Sequence, residues 1–314
     1  MTENPESENP QPDLVYALTC LPESDICFAA RGSGLYRSTD AGITWQSVYD
    51  ELEFQGPLPT TSIILSPDMH IEPSAFAGVP GGVMQSMDAG ETWQATAIAT
   101  PPPLVSAMAI SPNYVEDGVI FLGTAEDGVF RSANRGGSWS RWNFGLLDLA
   151  AYCFGVSPNY AEDETLYVGV ESGLFCSTNG GRAWREVDLP VGYDPVVSLA
   201  LSPSFGTDGI LFAGTENQGL LQSIDQGRSW IRVSHGVIHQ SVNGILLSPD
   251  FPLHPTILIL HDDILLLSRD EGKTWAPLEV ELADITACYA PAGLEPGATI
   301  MVGLLDGSVR TFVL

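Results

Sequence analysis

The sequence is poor in basic charge. Its 314 residues hold 12 Lys plus Arg against 39 Asp plus Glu, a formal charge of −27. A surface of that sign repels phosphate backbones and anionic lipid, so nucleic acid and membrane surfaces are excluded as partners. The bland meaning of such acidity is solubility or adaptation to a salty medium; attraction of a basic partner is the specific one. Long apolar runs are also missing. No window approaches the ~20 residues that span a bilayer, and the start carries neither a basic stretch nor an apolar run of the export type. The expectation is a soluble, cytoplasmic protein and a monomer. Cysteine is scarce and odd in number: Cys20, Cys27, Cys153, Cys176 and Cys288 lie mostly inside apolar strand patterns, without metal-type spacing. They read mostly as small buried hydrophobes, in keeping with an intracellular setting. A sustained helical period is absent, and so are a Gly-Ser nucleophile elbow, a phosphate loop and a His-Glu zinc helix.

What the sequence does have is repetition. "STDAGITW" (38–45) returns as "SMDAGETW", "SANRGGSW", "STNGGRAW", "SIDQGRSW" and "SRDEGKTW". The closing tryptophans, Trp45, Trp93, Trp139, Trp184, Trp230 and Trp275, are 48, 46, 45, 46 and 45 residues apart. Ser-Pro pairs at Ser66, Ser111, Ser157, Ser202 and Ser248 keep the same beat, spaced 45, 46, 45 and 46. A period of this size marks a repeat architecture. Each unit holds four short strand-like runs; in residues 196–233 these are Val196–Ser202, Ile210–Gly214, Gly219–Ser223 and Ser229–Val233, parted by turn residues. The unit is therefore read as an antiparallel meander. Its first strand, small and apolar as a strand crowded on both faces must be, is set inside, and its fourth outside.

Seven first strands can be counted: Val15–Cys20, Thr61–Ser66, Val105–Ser111, Ala151–Ser157, Val196–Ser202, Val242–Ser248 and Ile285–Ala290. The reading is all-β, a seven-bladed β-propeller over residues 14–314, preceded by an acidic tail (1–13) expected to be disordered. The seventh unit ends at "SVRTFVL", so its blade has three strands, or the tail supplies a fourth; Pro10 and Pro12 weigh against the second.

In the eight-residue phrase, Asp40, Asp88, Asn134, Asn179, Asp225 and Asp270 are placed to accept backbone N–H groups two residues on and close the turn. The following Gly permits positive φ, and the Trp supplies apolar surface where the outer strand meets the next blade. The phrase resembles the Asp-box, or BNR, repeat, and the resemblance covers nearly the whole chain. Similar boxes occur in sialidases, xyloglucan-degrading enzymes, sortilin-type receptors and the photosystem II assembly factor, the last being similar in having a single seven-bladed ring. In that family the boxes are structural, so the resemblance implies no catalysis at Asp40 and its counterparts. Sialidases of the family gather three arginines near the channel. Here ten of eleven arginines fall on third or fourth strands or the boxes, Arg31 alone lies elsewhere, and the Phe-Arg-Ile-Pro motif is absent. The similar xyloglucan enzymes use two rings with a cleft between them.

Box-side turns repeat their wording, whereas the loops from one blade to the next differ widely, as in "AIATPPPL" (97–104), "NFGLLDL" (143–149) and "SHGVIHQS" (234–241). Variation on a fixed scaffold locates binding. The same face collects carboxylates, among them Glu126, Asp127, Glu171, Glu216, Asp262 and Asp263, which would steer a basic segment of a partner protein or peptide. Blade six departs most from the repeat: His261, Asp262 and Asp263, with His235 and His239 on the adjacent loop, could ligate zinc or manganese. Equally, His235 aligns with Leu189 and Val280 and can be a core residue, as can Trp142, which aligns with Val48, Val187 and Val233. The function expected is a non-catalytic interaction or assembly scaffold without a cofactor. The alternative is a glycoside hydrolase with two carboxylates near the channel mouth.

Overall fold

The computed structural model describes residues 13–50, 52, 56–233 and 236–314. Each apolar run of the repeat becomes a strand, and strands pair in chain order within every sheet. Blade five, for example, runs Val196–Leu201, Leu211–Thr215, Leu220–Ser223, Ile231–Val233. Six sheets have four strands; the seventh, among the described residues, has three (Ile285–Tyr289, Thr299–Leu304, Val309–Val313). The architecture is a seven-bladed β-propeller, with first strands packed against one another around the ring axis.

The strand crowded on both faces is the second, not the first. Ala75–Val79, Ile120–Thr124, Leu166–Val170, Leu211–Thr215 and Ile257–His261 are buried at every position, while first strands alternate. A first strand has neighbours on its flanks but only the axis in front of it, which leaves one face less covered. Seven apolar clusters form, one at each junction between blades. The cluster of Val15, Leu18, Ala287, Met301 and Val309 joins the last blade to the first, so among the described residues the ring closes by packing. Polar stitches repeat the message. Thr61 Oγ1 donates to the Val105 carbonyl (2.8 Å), Ser198 Oγ to that of Val242 (2.6 Å) and Thr286 Oγ1 to that of Val15 (2.8 Å), each reaching the next blade.

The box is a closed hydrogen-bonded turn with serine at its centre. Ser38 Oγ donates to Asp40 Oδ1 (2.7 Å) and accepts the Gly42 N–H (2.8 Å); Asp40 accepts the Thr44 N–H (2.8 Å) and hydroxyl (2.7 Å). The carboxylate therefore reaches four residues on, not two. Trp45 Nε1 donates to the Gly42 carbonyl (3.0 Å), and boxes two, five and six repeat the pattern. Trp93 meets Phe28 of blade one edge-on, ring centres 6.1 Å apart, and every box tryptophan packs on the preceding blade, not the following one.

These bonds hold the carboxyls of Asp40, Asp225 and Asp270 down to about 2, chiefly through Thr44, Ser229 and Thr274. A depressed folded pKa contributes stability that is complete above the unfolded value of about 3.9 and lost as pH falls toward 2. Asn134 and Asn179 already fill this position in boxes three and four, with Asn134 accepting the Ser138 N–H at 2.9 Å. The triple variant Asp40→Asn, Asp225→Asn, Asp270→Asn should thus fold, and its urea midpoint should fall less than the wild type's between about pH 4 and pH 2. Parallel curves over that window would contradict the assignment.

Asp13 is tied to blade one, its carboxylate accepting the N–H (2.6 Å) and hydroxyl (2.9 Å) of Ser33; the rest of the expected tail, residues 1–12, lies outside the described residues. The cysteine reading also needs correction. Cys20 and Cys27, facing each other across the first two strands of blade one, form a disulfide, while Cys153, Cys176 and Cys288 are free. Burial raises those three thiols to about 12, 11 and 12, which leaves them inert hydrophobes. The bridge weighs against taking the cysteine content as a mark of a reducing compartment. Among the described residues no helix is long and apolar enough to cross a membrane.

Candidate functional site on the loop face

The second-to-third-strand turns are built alike. In blades three to six a backbone N–H of the turn donates to the carbonyl just before the first strand: Ala125 to Leu104 (3.0 Å), Glu171 to Ala150 (3.3 Å), Glu216 to Pro195 (2.9 Å) and Asp262 to Ser241 (2.8 Å). Glu171, Glu216 and Asp262 therefore occupy one repeat position in three successive blades and make an exposed acidic arc. In blades three and five a threonine shapes the turn behind the acids. Thr124 Oγ1 accepts the Asp127 N–H (3.0 Å), and Thr215 Oγ1 that of Gln218 (3.0 Å). Glu126 and Asp263 are exposed beside the arc. Asp127 is half-buried and paired with Arg141 at 2.8 Å, so it offers a partner less free charge than its neighbours.

The first strands bulge at the same mouth. Register shifts recur at Val15/Ala17, Ala151/Cys153, Val196/Ser198, Val242/Gly244 and Ile285/Ala287. A bulge re-aims the extra residue, here Tyr16, Tyr152, Val197, Asn243 and Thr286. The Tyr152 phenol has its pKa raised first by burial, then by Glu171, Asp148 and Glu216, which places it within the arc's field.

The blade-six histidines meet only in part. His239 and His261 have ring centres 5.9 Å apart, and His261 is buried, its Nε2 accepting the Gln240 N–H at 3.4 Å. Burial lowers its pKa, His239 adds to that, and Asp262 opposes it. Among the described residues no three of His239, His261, Asp262 and Asp263 bring ligand atoms within 4.8 Å of one another; His235 lies outside the described residues. Asp250, His254 and Glu295 do come that close, all exposed, near the Ser-Pro turn of blade six. In blades three to five that turn ties Ser111, Ser157 and Ser202 to Asp117, Asp163 and Asp208 six residues on (2.6 Å each). His254 stands in the aspartate's place, and Ser248 bonds its backbone carbonyl instead. The sequence carries the signal, since His254 follows Ser248 by the same six residues that separate Asp117, Asp163 and Asp208 from their serines.

The arginines serve the blades. Arg31 lies 4.1 Å over the Tyr36 ring, and Arg131 4.5 Å over Trp142, which makes Trp142 part of a stacked outer flank.

Sequence reading also missed two carboxylates that pin loops. Asp148 accepts the N–H groups of Ala150 (3.0 Å) and Ser172 (2.7 Å), and Asp194 accepts the N–H (3.2 Å) and side-chain amide (2.7 Å) of Asn217. With Asp13 on Ser33 they form one recurring clasp between the loop before a first strand and the turn beyond it.

Seven closed meanders fastened by six box turns define the class: a seven-bladed Asp-box β-propeller. The BNR/Asp-box repeat matches directly at residues 36–47, the first box. No curated protein matches the chain. Among solved structures it is similar to YCF48 from Cyanidioschyzon merolae (TM-score 0.69, 12% identity, 97% of this chain and 96% of that one). It is likewise similar to YCF48 bound to a D1 peptide (0.70, 14%, 97% and 93%). The GH74 enzyme of Niastella koreensis aligns at a TM-score of 0.75 and 14% identity over 96% of this chain, but only 52% of its own length is covered. The extracellular domain of BT4673 from B. thetaiotaomicron aligns at 0.73 and 14%, and the chain spans 38% of it. At these identities the likeness establishes the fold.

Proposed function

We propose that this ring is a non-catalytic scaffold that holds a partner protein or peptide on its acidic loop face, led there by a basic segment of the partner. The observation that carries the reading is the acidic arc: Glu171, Glu216 and Asp262 occupy one repeat position in three successive blades, beside the loops that share no wording. Free carboxylates on a pinned framework attract cations at long range without a conformational cost. YCF48, a ring matched over 93% of its length, is described bound to a peptide, which supports the same use of this fold.

The test is a basic peptide drawn from a display library panned on the wild-type ring, measured against Glu126→Gln, Glu171→Gln, Glu216→Gln, Asp262→Asn and Asp263→Asn combined. Each exposed pair contributes ~0.3–1 kcal/mol, so the five together should weaken binding by about tenfold or more at low salt, and added salt should erase the difference. Equal affinity, or release of sugar from a panel of β-glucans including xyloglucan, would overturn the reading.

A further inference from the structure

Large exposed apolar side chains are not spread evenly around the loop face. Leu147 is 80% exposed and Tyr193 84%, with Leu149 beside them at 37%, and they fall on the two loops that flank blade four. These residues border one cleft of about 340 Å³ on the blade's shoulder, floored by Ser172 and Phe175 and walled by Glu186. A second hollow of about 210 Å³ continues from it along Glu186, Asp188 and Gly192. No Lys or Arg lines either part among the described residues, and the carboxylates of Glu186 and Asp188 are exposed. Arg185, next to Glu186, lines a different hollow, as alternation along a strand requires.

The cleft is also held open. Asp148 ties the loop carrying Leu147 and Leu149 to the Ser172 turn, and Asp194 ties the loop carrying Tyr193 to Asn217 of blade five. Exposed apolar surface beside unpaired charge of one sign, on loops already fixed, is the arrangement of a binding cleft and not of a solvated rim.

We propose that this cleft is the dock, and that its occupant is a partner segment seating an aliphatic side chain between Leu147 and Tyr193 with Lys or Arg against Glu186 and Asp188. The inference rests on the scaffold reading and narrows it to one blade and one chemistry. The charge is matched by a cation because Glu186 and Asp188 both present carboxylates there; the apolar part is matched by a side chain without a polar tip, because Leu147, Leu149 and Phe175 offer it no hydrogen bond.

Three ten-residue peptides labelled with a fluorophore separate the outcomes by anisotropy: one alternating Leu and Lys, one alternating Ser and Lys, one alternating Leu and Glu. The Leu/Lys peptide should bind, the Ser/Lys peptide about tenfold more weakly, and the Leu/Glu peptide not measurably. Leu147→Ser combined with Tyr193→Ser should weaken the Leu/Lys peptide by about tenfold or more, while Leu253→Ser, at an equally exposed site on the opposite face, leaves it unchanged. If the Leu/Lys peptide ignores Leu147→Ser with Tyr193→Ser but responds to the five-site neutralisation of the arc, the cleft is wrong and the scaffold reading survives. If it responds to neither set, both fail. Equal binding of the Ser/Lys peptide would remove the apolar part of the proposal.

Discussion

Gly303→Ala is expected to lower the stability of the ring by about 2–3 kcal/mol, as overpacking in a closed core does. Gly303 lies in the second strand of the last blade, and a Cβ there would overlap the Cβ and Cγ1 of Val15 in the first strand of blade one. Its backbone is not in the left-handed region, so crowding alone sets the cost. The same approach recurs at Gly78, Gly123, Gly169 and Gly214, which meet Val105, Ala151, Val196 and Val242 of the following blades. A glycine in the second strand is what lets each first strand sit so close to its neighbour. Gly303 is the informative member because it spans the closure, where 288 residues of chain separate the two partners (303 − 15 = 288). Gly236→Ala, where a Cβ meets nothing within 4 Å, should stay within about 0.5 kcal/mol of wild type. Urea midpoints of the two variants measure the difference; equal midpoints would mean that blades one and seven do not pack as described.

Gly90→Ala should be at least as damaging, roughly 2–4 kcal/mol, because two effects add. The box glycine holds φ at +81°, where an L residue is strained, and a Cβ would enter the ring of Phe28 on the preceding blade. The Phe28 ring has little room to swing away, since it is wholly buried in an apolar cluster that includes Leu35, Met84 and Trp93, the last meeting it edge-on. If the box were only a surface turn, the same substitution would cost no more than the backbone strain. Thermal melts of Gly90→Ala and of Phe28→Leu with Gly90→Ala decide this: partial recovery in the double variant is expected, and none would show that the glycine contributes through its φ alone.

Much of this molecule could be read before it was folded, and the reasons are specific. The tryptophan and Ser-Pro spacings fix the blade count, because a propeller repeats one local unit. First strands expected at Val15–Cys20 and Ile285–Ala290 are found at Val15–Cys20 and Ile285–Tyr289. What escaped was whatever depends on the neighbour. The direction in which Trp93 packs, the burial of second strands over first, and the glycines that admit Val105 or Val15 are properties of a junction, and a single unit holds half of it. The clasps of Asp13, Asp148 and Asp194 bridge 20 to 24 residues and leave no periodic trace. The disulfide joins cysteines seven residues apart that only the hairpin register sets opposite each other. On the loop face the acidic turns were legible too, since Glu171, Glu216 and Asp262 keep the beat of the repeat at spacings of 45 and 46 (216 − 171 and 262 − 216). The blade-four cleft needs loops more than forty residues apart in sequence (193 − 147 = 46) to meet, and nothing in either loop announces the other.

Everything proposed for this protein divides the ring into a box side that builds it and a loop face that binds. Hydrogen exchange read by mass spectrometry, on the full chain with and without saturating Leu/Lys peptide, tests that division directly. Slower exchange is predicted in residues 143–150, 169–173 and 187–195, with the six box turns unchanged. Protection gathered at 38–45, 86–93 and their counterparts, with the loops of blade four untouched, would contradict it.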